Sequence, residues 1–172
     1  KDEKKIARAL ISKGITLKNS GSLDSAKIYL FSARSICNRL RYLKTQARVE
    51  SIIGNYYGKI GELDSALIYQ KNSIQLYERT TDSFGMAMAL NSLGNTLKSM
   101  ALYDEAIQYY FRSENIYEKI GDAHRQNYVL LNIGTIYLRL KENKKALDLY
   151  KKCKAMSLNA GNHAMIMSSS AN

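Results

Sequence analysis

A chain of 172 residues with a net charge of +11, two cysteines and no proline excludes several classes at once. Two thiols make no disulfide framework, no run of eighteen apolar residues offers a membrane span, and the start KDEKKIARALISKG is the charged opening of an amphipathic helix without a secretory segment. The charge is uneven: residues 1–50 carry 12 basic and 4 acidic side chains, 51–150 carry 11 of each, and 151–172 carry 3 basic and none acidic. A nucleic-acid reader would show a continuous basic stripe with stacking aromatics, so no nucleic-acid partner is expected.

Taken in chain order, the predicted elements repeat. Residues 1–40 hold a first helix with Leu10, Gly14 and Leu17 on one face, a break at Gly21-Ser22, and a second helix with Asp24 in its first turn, then Ala26 and Tyr29. Residues 41–80 repeat this with Gly54, a break at Gly61-Glu62, and Asp64, Ala66, Tyr69, Ser73 and Leu76. A loop at Thr81-Asp82 opens residues 81–120, with Leu90, Gly94 and Leu97, a break at Met100-Ala101, then Asp104, Ala106 and Tyr109. A loop at Gly121-Asp122 opens residues 121–160, with Leu130, Gly134 and Tyr137, a break at Lys141-Glu142, then Ala146 and Leu149. Gly161-Asn162 continues the register into a remnant, 161–172, and Asp82, Asp122 and Asn162 suit the N-caps of the helices that follow them. A forty-residue period on glycine and alanine together means a stacked array, in which each unit buries its apolar face against its neighbours. Glycine inside a helix costs about 1 kcal/mol relative to alanine, so glycines recurring in phase predict close helix–helix approach.

The third unit reads Leu93-Gly94, Leu97, Ala106, Tyr110, Ser113 and the fourth Ile133-Gly134, Tyr137, Ala146, Tyr150, Cys153. This pattern resembles the tetratricopeptide repeat, a helix-turn-helix unit with a usual period of about 34 residues. The longer unit is similar to the roughly forty-residue subtype of kinesin light chains, bacterial quorum-sensing phosphatases and repeat-bearing bacterial signalling proteins. The resemblance implies an all-α fold: a right-handed superhelical α-solenoid of antiparallel helix pairs, with four units plus the start of a fifth. It covers 1–172 as a single domain, expected to be a fragment of a longer array or multidomain protein because both ends fall in phase with the repeat. Lys13 and Glu50 stand where the family prefers an apolar residue, so the first two units are expected to pack less well.

With Leu10 as the centre of the buried face, positions 4, 8, 11, 15 and 19 of each unit project away from it. By resemblance, this face lines the concave surface. Its rows run Lys4, Lys44, Phe84, His124; Arg8, Arg48, Met88, Tyr128; Ile11, Ser51, Asn91, Leu131; Ile15, Asn55, Asn95, Thr135; and Asn19, Lys59, Ser99, Arg139. The expected groove is basic in its first half and presents Phe84, Met88 and Tyr128 in its second, with Ser51, Asn55, Asn91, Asn95 and Asn132 between or nearby. An asparagine both donates and accepts, which suits the main chain of an extended peptide, and related long-subtype repeats use inner-face asparagines in this way. A clamp for a peptide's terminal carboxylate, known in some family members, lacks its lysine here.

Cys37 and Cys153 lie in the first and fourth units, separated by several helix layers of about 8–10 Å each, so they cannot bridge. Both read as free thiols, which favours a cytoplasmic setting and leaves a periplasmic one open. His124 and His163 are the only histidines. Without an HExxH, CxxC, P-loop or GxSxG motif, or a metal-spaced Cys/His cluster, no enzyme activity, metal or cofactor is expected. The expected function is a scaffold that binds a protein or extended peptide with acidic and apolar residues, in the sensing or regulatory region of a larger bacterial signalling protein. The alternatives are a structural spacer or self-association module and, with less support, a small-ligand sensor or enzyme. Partner, pathway, source and oligomeric state are not legible at this level.

Overall fold

The computed structural model describes the backbone from Asp2 to Ser169 and side chains from Asp2 to Leu158. Among the described residues eight helices follow one another: α1 (Asp2–Asn19), α2 (Leu23–Arg39), α3 (Leu43–Lys59), α4 (Leu63–Glu78), α5 (Ser83–Ser99), α6 (Tyr103–Lys119), α7 (Ala123–Arg139) and α8 (Asn143–Ser169). Connections of three or four residues force each helix to run antiparallel to the one before it. Each odd-numbered helix packs on the helix that follows, and each pair packs on the next, so that among the described residues the substantial contacts fall within a unit or between adjoining units, as in a solenoid.

The glycine ladder is a packing device. A Cβ added to Gly94 would lie 2.7 Å from a ring carbon of Tyr110, and Gly14, Gly54 and Gly134 stand in the same relation to Leu30, Gln70 and Tyr150. The second helix of each unit therefore seats one large side chain against the bare backbone of the first. One turn further along, Ser73 and Ser113 donate to the carbonyls of Ala47 and Ala87, both at 2.8 Å. Cys153 takes the same place against Asn127 O at 3.7 Å. Cys37 and Cys153 are both buried and free, and burial pushes each thiol up from its ordinary value.

The turns obey the repeat even where glycine is missing. Gly21 and Gly61 have φ of +88° and +84°, and the same turn holds Ala101 at +60° and Lys141 at +62°. Backbone N–H groups of Ala101 and Leu102 close the end of α5 on Lys98 O and Leu97 O, at 3.1 and 3.0 Å. Asp82 and Asp122 accept from Gly85 N and Arg125 N at 3.0 Å, which makes them the caps their register predicts. Asp24, Asp64 and Asp104 sit in the first turns of α2, α4 and α6.

One expectation changes. The backbone of α8 stays helical through Gly161-Asn162, where the register predicts a loop and a cap. Extending an existing helix adds one hydrogen bond for each residue fixed, whereas a new helix must be nucleated, which favours continuation of α8. The side chain of His163 lies outside the described part. Glu50, at a position where the family prefers an apolar residue, is 2% exposed, with Arg34 Nε 2.6 Å from its Oε1. Glu50 stands in the row of Leu10, Leu90 and Leu130, and Gln70 in the row of Leu30, Tyr110 and Tyr150. The apolar core divides there into one cluster around Ile11, Leu30 and Ile53 and another around Leu90, Tyr110 and Ile133. Lys13 is exposed, its ammonium 5.8 Å from the ring centre of Tyr29.

Candidate binding groove

The first helices of successive units approach each other directly, α1 against α3 and α3 against α5. That puts them on the inside of the curve, with the second helices outside. Lys4, Arg8, Lys44, Arg48, Phe84, Met88, His124 and Tyr128 are all exposed along this inner surface. Asn55, Asn91, Asn95 and Asn132 are half-buried below them.

One predicted row is largely not part of the surface. Ser51 is 8% exposed and Ile11 is 1% exposed, whereas Leu131 in the same row is 41% exposed. Asn91, also in this row, is half-buried, so the row is closed in the first two units, where the next unit's first helix packs over it. Ser51 is therefore withdrawn from the binding set. Leu10, placed at the centre of the buried face, is only half-buried, because a solenoid helix buries two flanks against neighbouring units as well as one face against its own partner.

The basic half is partly spoken for. Lys44 Nζ lies 3.0 Å from Asp82 Oδ2, and Lys4 Nζ stands 5.3 Å from the ring centre of Tyr42. Burial of the Asp82 carboxyl works to raise its pKa, but the Gly85 N–H, the Lys44 ammonium and the Arg48 charge outweigh it and hold the group below the usual carboxylate range. In the other half Phe84 meets Tyr117 edge-on at 6.3 Å, and the Arg125 guanidinium lies 4.8 Å from the Phe84 ring centre. Burial pushes the hydroxyls of Tyr77 and Tyr117 to about 12, so both stay neutral donors. A cavity of about 170 Å³ opens here among Met88, Asn91, Tyr117, Arg125 and Tyr128. Met88, Val129 and the rings of Tyr117 and Tyr128 give it apolar walls beside Asn91, Ser92 and Arg125, and among the described residues the buried Asn91 Oδ1 has no hydrogen-bond partner.

The asparagines are built in. Gln70 donates to Asn55 Oδ1 at 3.3 Å and the Tyr110 hydroxyl donates to Asn95 Oδ1 at 2.7 Å. Among the described residues neither Nδ2 has an acceptor, so both are free to donate outward. Lys98 Nζ donates to Asn132 Oδ1 at 3.1 Å, across the joint between α5 and α7. Lys98, Gln70, Tyr110 and Arg125 escape the sequence reading. The row Lys18, Gly58, Lys98 holds the signal, since it departs from the repeat in the middle.

Among the described residues no group of three or more His, Cys, Asp or Glu side chains could hold a metal, and no helix is long and apolar enough to cross a membrane. Stacked helix pairs of forty residues with a groove of amide, basic and aromatic side chains define a helical-repeat protein. The chain matches the tetratricopeptide repeat over residues 45–119 and 85–159, and it belongs to that family. No curated protein matches it. Among solved structures it is similar to aspartyl phosphate phosphatase F from Bacillus subtilis, with a TM-score of 0.87 and 18% identity over 94% of this chain and 42% of that one. A Rap protein in complex with competence and sporulation factor superposes with a TM-score of 0.84 at 16% identity, over 92% and 44% of the two chains. A signal transduction ATPase with a tetratricopeptide repeat sensor, from Pyrococcus horikoshii, gives 0.81 and 22% over 90% and 24%. At these identities the likeness shows the fold. The chain spans less than half the length of each.

Proposed function

We propose that the concave face is a non-catalytic groove for an extended peptide or protein segment, serving the sensing or regulatory part of a larger signalling protein. The observation that carries this reading is the pair of free amides on successive first helices, Asn55 and Asn95, each locked from behind by Gln70 or Tyr110. Packed helices stand about 8–10 Å apart, close to the rise of about three residues of extended chain. A peptide crossing the helices can therefore meet one amide N–H and then the next with its main-chain carbonyls. Arg8 and Arg48 favour acidic side chains at one end, and the cavity beside Tyr128 takes an apolar one. The similar Rap protein solved with competence and sporulation factor, and the sensor repeats of the similar ATPase, agree with this role.

The test is selection of a phage-displayed random dodecapeptide library on the intact chain, followed by binding of the selected peptides to the Asn55→Asp/Asn95→Asp variant. Aspartate keeps the acceptor that Gln70 and Tyr110 need and removes the donor. Loss of binding with an unchanged melt is expected; full binding by the variant overturns the reading. A second reading, end-to-end association, draws on Leu131 and Leu138, large apolar side chains that are 41% and 47% exposed in the fourth unit. Light scattering that reports a monomer across a concentration series would remove it.

A further inference from the structure

The position that holds Lys18 in the first unit and Lys98 in the third is Gly58 in the second. Lys98 reaches across its joint, donates to Asn132 Oδ1 at 3.1 Å and lies 5.8 Å from the ring centre of Tyr110. No carboxylate pairs with it among the described residues, and its pKa is lowered by burial and by Arg139. A lysine is thus held at that joint by an amide oxygen and a ring. At the joint between α3 and α5, where Gly58 brings no side chain, a cavity of about 160 Å³ opens instead, lined by Asn55, Gly58, Gln70, Ser92, Asn95 and Ser99 among others.

Close packing does not explain this glycine. A Cβ on Gly58 would meet Thr96 Oγ1 at 3.8 Å and Ala66 Cβ at 3.9 Å, ordinary contacts, whereas one on Gly54 would meet Gln70 Cγ at 2.6 Å. The lining carries no charge and is rich in hydroxyl and amide oxygens. Ser92 occupies the place of Asn132, and Gln70, 1% exposed, has an Oε1 without a hydrogen-bond partner. The volume is about five times the ≈ 30 Å³ share of one liquid water, room for the five heavy atoms of an aminobutyl group.

We infer that this cavity receives a lysine side chain of the bound peptide, in the place that the chain's own Lys98 fills one joint further on. The inference rests on the peptide-groove reading only for the source of that lysine. Gln70 Oε1, buried and unpartnered among the described residues, and the absence of a fixed cation from the lining suit a hydrogen-bond donor.

The probe is N-acetyl-lysine methylamide, titrated into isotopically labelled intact chain while the side-chain amide resonances of Asn55, Gln70 and Asn95 are followed by NMR. Saturable shifts are expected, with the norleucine analogue, equal in chain length and lacking the donor, at least about tenfold weaker. Equal binding of the two, or no shift at these amides, overturns the inference. Gly58→Lys is expected to keep the helical content and abolish the shifts by filling the cavity from within. Should that variant fail to fold, Ser92→Asn, which restores the partner seen at Asn132, is expected to tighten the lysine probe several-fold; unchanged affinity there overturns the proposal. Failure of the probe with library capture intact removes the pocket alone. Failure of library capture with the probe still bound removes the groove reading alone.

Discussion

Replacing Asn95 by leucine and by aspartate separates what its two ends do. Tyr110 is fully buried, and its hydroxyl donates to Asn95 Oδ1 at 2.7 Å. Burial pushes this hydroxyl far above its ordinary value, so it remains a donor throughout the working pH range. Leucine removes the acceptor and leaves that donor unsatisfied, a penalty of about 1–3 kcal/mol. For a chain of this size 1 kcal/mol moves the melting temperature by about 2–4 °C, so Asn95→Leu should melt roughly 5 °C early. Aspartate retains the acceptor and should stay within about 1 kcal/mol of the parent. Both variants lose the outward Nδ2 donor, so both should bind library-selected peptides weakly. Thermal melts and fluorescence anisotropy on the same samples provide the two readouts. If Asn95→Leu melts with the parent, the Tyr110 bond has no net worth. If Asn95→Asp binds peptide as the parent does, the donor is not a contact.

Two further outcomes concern the frame of the groove. Arg34→Ala leaves the buried Glu50 without its ion-pair partner and should cost about 2–3 kcal/mol, below the range for a fully buried pair because the Arg34 side chain is a third exposed. Glu50→Leu, which restores the residue found at Leu10, Leu90 and Leu130, should be neutral or stabilising and should erase the Arg34→Ala penalty in the double variant; additive losses in urea melts would refute the pairing. Asp82, whose folded-state pKa is depressed, contributes stability that is complete above 3.8 and lost as pH falls through its lower folded value. Asp82→Asn, still able to cap α5, should therefore flatten the acid limb of melting temperature against pH, and an unchanged limb would refute the assignment.

Features set by one unit alone were legible before any coordinates. The period, the turns within each unit, the close helix approach at the recurring glycines and the caps at Asp82 and Asp122 follow from local chemistry repeated in phase. Features set between units were not. Ser51 and Ile11 look outward on a helical wheel, and the helix that buries them begins some thirty or more residues later. Glu50 reads as a packing defect because its partner, Arg34, stands on the preceding unit. The same limit hides the vacancy at Gly58, which shows itself only when the joint holding Lys98 is laid over the joint beside it.

The confinement of the substantial helix contacts to adjoining units, among the described residues, has a mechanical consequence. The curvature of this stretch is the sum of small rotations at each joint, and it behaves as a short coil spring. A ligand that engages α3, α5 and α7 together clamps two successive joints and fixes their rotations. The distance between the two ends of the coil then becomes a readout of occupancy, carried through rigid helices with no hinge between them.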